Sequence, residues 1–325
     1  MGLFENTGAQ TMKRGTRDEP RAQRRVTGHA YVLLAMTMFL WGGNAVASRI
    51  AVGEISPMAL TCLRLLIAVG GILAVAHKQI IREWPVLRPH WRLALIMGAF
   101  GYTGFSAFMY AAATYTTAVN LSILQGSIPV IVLLGALALY GTPIRAIQIV
   151  GVAVTLLGVA FVATKGALGS LAALELNFGD ALMLCACVLY AGYTLALRRR
   201  PRISGMTFYF GMAAGGFIAS LPLLTYEIVA GTVHWPTAEG LGVLLYVALG
   251  PSFAAQILYM RGVELIGPGR AGLFVNLVPV FGAFLAVLIL GETFALYHAA
   301  ALALVLGGIF LAERSGRSAA KDQAG

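Results

Sequence analysis

The stretch Ala118–Pro143 reads AVNLSILQGSIPVIVLLGALALYGTP, and the chain writes a variant of it, PGRAGLFVNLVPVFGAFLAVLILGET, from Pro268 to Thr293. The shift that sets Pro129 over Pro279 also aligns Ala118 with Pro268, Val130 with Val280 and Gly141 with Gly291. It carries Tyr102 onto Ser252 and Ser106 onto Gln256, and a shift one residue shorter carries Trp41 onto Tyr190 and Asn44 onto Tyr193. Polar residues thus recur at matching depths in otherwise apolar runs. The chain is a duplicated unit.

Composition says what surrounds that unit. Of the 325 residues 59% are hydrophobic and only 11% are charged, and the mean hydropathy is +0.82. That is more apolar surface than a water-soluble core can bury, so the solvent is lipid. The net charge of +10 does not imply nucleic acid here, because basic residues of a lipid-embedded chain collect in cytoplasmic loops. Cys62, Cys185 and Cys187 lie inside apolar runs without metal or redox spacing and read as small core residues.

Apolar segments long enough to span a bilayer fall at about 29–50, 57–76, 93–114, 118–140, 146–164, 178–197, 204–230, 240–262, 268–290 and 294–312. They show no alternation of period two, so the spans are helices and not barrel strands. With the N-terminus inside, Arg49 and Lys165 are the only outside cations among the 23 Lys and Arg, and Arg64 is the only one within a span. That asymmetry puts both termini in the cytoplasm of a multi-pass protein of the cell (inner) membrane. An odd number of spans per repeat turns the second copy upside down. The expected fold is therefore all-α integral membrane, ten transmembrane helices as two inverted five-helix repeats, the architecture of secondary transporters. Its parts are a disordered basic cytoplasmic tail (1–28), a first repeat (29–165), an extracytoplasmic linker (166–177), a second, inverted repeat (178–314) and a cytoplasmic tail (315–325).

Helical spacing puts Thr37, Trp41, Asn44 and Ser48 on one face of the first helix. Tyr102, Ser106 and Tyr110 form a stripe on the third, Cys187, Tyr190 and Thr194 on the sixth, and Ser252, Gln256 and Tyr259 on the eighth. A polar stripe in lipid faces protein or water, so these faces point inward. Gln125 and Asn276 lie beside the two repeat prolines. The expected substrate site is Trp41, Asn44, Tyr102, Ser106, Gln125, Tyr190, Ser252, Gln256 and Asn276. Pro129, Gly250, Pro251 and Pro279 are the expected hinges, and Glu264 with Arg270 the expected gate at the cytoplasmic mouth. The fifth and tenth helices offer Gly151, Gly158, Gly307 and Gly308 with few polar side chains, which suits close packing, including a homodimer contact.

Several of these residues carry a resemblance. Trp41-Gly42-Gly43-Asn44, Ser56-Pro57 leading to Arg64, Ala118-Val119-Asn120 running to Pro129, Gly179-Asp180, and Pro279 running to Gly291-Glu292 resemble the drug/metabolite transporter superfamily, in its ten-helix EamA-type branch. The likeness covers residues 29–314, with one departure: Gly141-Thr142 stands where Gly-Glu is usual. It implies a central cavity lined by helices one, three, four, six, eight and nine, with helices five and ten outside it and helix two mainly so. No Asp or Glu sits at mid-span, and Arg64 is read as a structural partner of a helix end. A phosphate-bearing substrate would want several cations in the cavity. The aromatic, amide and hydroxyl set instead suits neutral or zwitterionic amphipathic solutes, and most resembles the exporters of amino acids, including aromatic ones. Export of hydrophobic drug-like compounds or other metabolites, with or without proton coupling, is the alternative. Missing mid-span carboxylates argue for facilitated diffusion or exchange.

An enzyme is the competing class. The five histidines His29, His77, His90, His234 and His298 fall at or beyond span ends, without carboxylate or thiol at metal-binding or catalytic spacing. There is no glycine-rich phosphate loop. No catalytic residue, cofactor or metal is expected; the partners are a small-molecule substrate and the lipid bilayer.

Overall fold

The computed structural model describes residues 9–166 and 177–322. Their regular elements are all helices, with no strand among the described residues. The first half runs α1 (Ala9–Ile50), α2 (Pro57–Leu87), α3 (Trp91–Gly98), α4 (Phe105–Ala112), α5 (Ala118–Gln125), α6 (Ile128–Tyr140) and α7 (Ala146–Ala163). The second runs α8 (Phe178–Ala196), α9 (Gly205–Val229), α10 (Ala238–Leu249), α11 (Ala255–Ile266), α12 (Pro268–Phe274), α13 (Val278–Leu290) and α14 (Leu296–Asp322).

Among the described residues, eight helical stretches are long and apolar enough to cross a membrane, and Leu296–Ala312 is a shorter apolar helix. One of the eight, Pro57–Ala112, is 56 residues long. A straight helix would hold Arg64 and Tyr110 roughly 70 Å apart. Yet the Arg64 Nη1 donates to the Tyr110 hydroxyl at 2.6 Å. The stretch therefore doubles back on itself, through the tight turn Arg88–His90.

Two expectations need correction. The basic N-terminal stretch was expected to lack regular structure, but α1 is continuous from Ala9. Once the apolar part of a helix is nucleated, each added residue costs little, and Arg, Gln, Lys and Ala are good helix formers. α14 likewise runs on to Asp322. Residues 167–176, most of the expected linker, lie outside the described residues. Second, Cys62 and Cys187 are buried as expected but Cys185 is exposed, because a helix turns about 100° per residue and Cys185 falls off the face that carries Cys187.

The glycine faces of the fifth and tenth spans pack against each other within the chain. α7 packs along α14: a Cβ on Gly151 would lie 2.5 Å from the Gly308 carbonyl oxygen, and one on Gly158 would lie 2.8 Å from Val305. Only the missing side chains let these backbones approach. Of the four glycines, Gly307 alone has open space beside it. A second close crossing joins α1 to α13, where a Cβ on Gly42 would lie 2.7 Å from the Gly282 nitrogen. Gly141 and Gly291 end α6 and α13 alike, with φ of 62° and 64°, the left-handed helix stop that glycine adopts most easily.

Candidate functional site

The helices around the centre are broken at matching places in the two halves. α5 stops at Gln125 and α6 restarts at Ile128, with Pro129 in its first turn. In the second half α12 stops at Phe274, a tight turn covers Val275–Leu277, and α13 restarts at Val278 with Pro279 in its first turn. A proline in a first turn forgoes no intrahelical hydrogen bond, so both prolines begin a half-helix and do not kink a continuous one. Two wide π-turns, Ala99–Gly104 and Gly250–Ala254, occupy positions that the repeat superposes. The second was legible from Gly250-Pro251; the first contains no proline and gave no signal. Side chains from neighbouring helices serve the second turn. Trp41 Nε1 donates to the Pro251 carbonyl at 3.1 Å, and the Tyr209 hydroxyl donates to that of Ser252.

These breaks surround a cavity of about 120 Å³. Trp41, Asn44, Tyr102, Gln125, Tyr190, Ser252, Gln256 and Asn276 all line it, as do Pro129, Pro251 and Pro279. Ser106 does not. It is fully buried on α4, and its hydroxyl has no hydrogen-bond partner; the preceding π-turn adds a residue to the helical period and turns Ser106 off the face of Tyr102. Ser122 and Ser252 bond back to the carbonyls of Ala118 and Val247, the local satisfaction usual for hydroxyls in membrane helices. One wall is aromatic. The rings of Phe105, Tyr190, Tyr193, Tyr102 and Tyr209 follow one another at centroid distances of 5.1, 5.2, 5.4 and 5.7 Å. Trp41, which also lines the cavity, rests against Tyr259 at 5.2 Å.

Arg64 overturns its expected role. It lines the cavity and is 8% exposed, because α2 lies against α9 and turns this residue inward instead of toward a helix end. Its Nη1 donates to the Tyr110 hydroxyl at 2.6 Å, and its Nε has no partner. Tyr110 in turn donates to Asn44 Oδ1 at 3.4 Å. The Asn44 amide nitrogen has only the Met109 sulfur, 3.7 Å away, a weak acceptor. Tyr110 also borders a second cavity of about 290 Å³, lined by Ser48, Ser56, Glu227 and His234. The triad of Arg64, Tyr110 and Asn44 stands between the two.

The carboxylates near helix ends have a use that the sequence did not disclose. Glu227, near the end of α9, accepts from Ser56 Oγ at 2.6 Å and from the backbone N–H groups of Met58 and Ala59 at 3.1 and 3.3 Å, at the start of α2. Glu83, near the end of α2, accepts from the backbone N–H and hydroxyl of Ser204, which begins α9. The two antiparallel helices cap each other. Glu292 accepts from the N–H groups of Ala118 and Val119, both at 2.9 Å, at the start of α5. First-turn N–H groups have no partner within their own helix, and an anion there also meets the positive end of the helix dipole. The counterpart Thr142 supplies no carboxylate, but the helix it would cap begins with Pro268, which has no N–H to donate.

Arg49 performs the complementary service, donating to the Ala113 carbonyl at 2.6 Å just past the end of α4. Asp180, buried in α8, accepts from Thr116 Oγ1 at 2.6 Å and from the Asn120 amide at 3.4 Å. His298 Nδ1 accepts from the Ala295 N–H, which leaves Nε2 to donate to Asn120 Oδ1 at 3.2 Å. Among the described residues Glu264 and Arg270, the expected gate, form no ion pair. Glu264 pairs with Arg261 at 2.8 Å, on an exposed surface, since residues three apart on a helix meet more readily than residues separated by the break at Gly267. Among the described residues no cluster of His, Cys, Asp and Glu could hold a metal.

A duplicated helical bundle with long apolar stretches, its broken helices gathered around a cavity of aromatic, amide and hydroxyl side chains, is the build of a membrane transporter. The chain belongs to the EamA-like transporter family, whose model matches twice, at residues 28–164 and 177–314. It is 28% identical over 284 residues to an uncharacterized transporter, YetK, of Bacillus subtilis, covering 87% of this chain and 86% of that protein. It is 27% identical over 285 residues to an uncharacterized transporter of Archaeoglobus fulgidus, covering 86% and 96%. A solved crystal structure shares the fold with a TM-score of 0.61 at 19% identity, covering 89% of this chain and 98% of that one.

Proposed function

We propose that the protein is a secondary transporter of small amphipathic solutes, amino acids including aromatic ones, which leave the cell by alternating access. In this reading ten helices span the inner membrane as two inverted repeats, with both termini in the cytoplasm. The fold-back within Pro57–Ala112 supplies a ninth crossing and Leu296–Ala312 a tenth. The observation that carries the proposal is that both restarting helices, with the symmetry mates Pro129 and Pro279, meet at one cavity. Breaks in two copies of one unit let each copy rock about a shared site.

At about 120 Å³ the cavity is of the order of the ~150 Å³ engineered cavity that takes up benzene, a size that suits a small solute better than a bulky drug. Amide groups at Asn44, Gln125, Gln256 and Asn276 and the aromatic wall suit a body that is apolar at one end and polar at the other. No carboxylate lines the central cavity, so the solute site itself holds no acidic proton carrier. Transport then follows the solute's own gradient or exchanges one solute for another. Counterflow tests this: liposomes holding only the purified protein and preloaded with unlabelled phenylalanine take up labelled phenylalanine transiently. Uptake no faster than in empty liposomes, across a panel of amino acids, removes the proposal.

A further inference from the structure

The central cavity carries one formal charge, and nothing in its wall neutralises it. Among the described residues no carboxylate pairs with Arg64. Glu227, the carboxylate that reaches the start of the same helix, is occupied by Ser56, Met58 and Ala59. Arginine keeps its charge in proteins, so it cannot escape burial by losing a proton. Its present partners are the Tyr110 hydroxyl and, at 5.8 Å, the Tyr110 ring. Those are neutral groups, and Nε has none at all. A guanidinium that is nine-tenths buried, faces a cavity and lacks a counter-charge is incompletely satisfied in the empty protein.

We infer that Arg64 is the anchor for a carboxylate on the transported solute, and that the site recognises the carboxylate and not the amine. This rests on the transport reading and sharpens its substrate class. A carboxylate supplies the missing charge and matches the planar donor fork of arginine, while the poorly satisfied Asn44 amide stands one hydrogen bond beyond Tyr110. A single cation suits a monoanion; a phosphate or diphosphate would leave charge over. The ammonium of an amino acid finds no opposite charge, since no Asp or Glu lines the cavity. It meets only neutral groups, amides, hydroxyls and ring faces, as a neutral substituent could. The solutes of this site are therefore aromatic or apolar monocarboxylates, with or without an α-amino group.

Three probes of nearly one shape separate the contributions: phenylalanine, 3-phenylpropanoate, which lacks the amine, and phenylalaninamide, which lacks the carboxylate. Binding to the purified protein is read by thermal stabilisation and by competition in phenylalanine counterflow. Phenylalanine and 3-phenylpropanoate are expected to bind within about threefold of each other, and phenylalaninamide about tenfold or more weakly, the scale of a charge-assisted hydrogen bond. Arg64→Gln should erase the preference for carboxylates and Arg64→Lys should keep part of it. Tyr110→Phe, which retains the cation, should keep the ratio even where absolute affinity changes, and so covers the case in which Arg64→Gln does not fold. Equal binding of phenylalaninamide and phenylalanine by the unaltered protein overturns the anchor, as does a carboxylate preference that survives Arg64→Gln. Counterflow without carboxylate preference leaves the transport reading standing and removes the anchor. Carboxylate-selective, Arg64-dependent binding without any counterflow does the reverse.

Discussion

Replacing Glu227 tests whether the antiparallel pair α2 and α9 is held by mutual capping. Its carboxylate, 8% exposed, serves three donors at the start of α2: Ser56 Oγ, Met58 N–H and Ala59 N–H. Glu227→Gln keeps the shape and one acceptor oxygen but turns an amide NH₂ toward groups that are themselves donors. It loses the charge assistance, about 1 kcal/mol as the difference between charged and neutral hydrogen bonds, and the interaction with the helix dipole, about another 1 kcal/mol in a partly buried setting. The expected loss is about 2 kcal/mol. Glu227→Ala leaves all three donors unmet, at about 1–3 kcal/mol for each that water cannot reach, so its loss should be about twice as large.

At about 2.1 cal/mol/K per residue the unfolding entropy of a chain this long is roughly 0.7 kcal/mol/K, so Glu227→Gln should lower the apparent melting temperature by about 3 °C. Unfolding in detergent is commonly irreversible, so variants are compared at one scan rate. Glu83→Gln breaks the opposite clasp, at Ser204, and the losses of the double variant should add, because the two sites share no partner. A melting temperature for Glu227→Gln equal to that of the unaltered protein, or a Glu227→Ala no worse than Glu227→Gln, would refute the capping argument.

Gly42→Ala places a methyl 2.7 Å from the Gly282 nitrogen and should cost about 1–3 kcal/mol as overpacking between backbones, seen as reduced monodisperse yield in size-exclusion chromatography; Gly307→Ala, with open space beside it, should be nearly silent. Pro129→Ala with Pro279→Ala restores two backbone N–H groups and lets the half-helices join, so the counterflow rate should fall while the melting temperature holds or rises; an unchanged rate in the folded double variant would remove the hinge role. In sealed liposomes a pH gradient imposed without a solute gradient should cause no net accumulation of labelled phenylalanine. Uphill accumulation driven by pH alone would return attention to Asp180 and Glu227.

Much of the fold was legible in the chain because its determinants are local. A bilayer needs about twenty apolar residues per helix and satisfies no stray backbone group, so span type follows from composition alone. Helical period and lipid aversion together choose an inward face, and this is why the stripes through Trp41, Tyr102, Tyr190 and Ser252 meet at one cavity. Other features are set by what opposes a residue from a distant part of the chain. Ser106 left its stripe because a π-turn without proline altered the period. Gly151, Gly158 and Gly308 could meet any small-residue surface, and only the tertiary structure decided that α7 and α14 meet each other. Glu83, Glu227 and Glu292 find their partners in backbone N–H groups, which every residue but proline carries and which no sequence pattern marks. Arg64 departs from its expected place for the same reason: its spacing gives a face of α2, but the packing of α2 against α9 decides that this face looks into the cavity, and the electrostatics of a cation depend on the charges within a few ångströms of it.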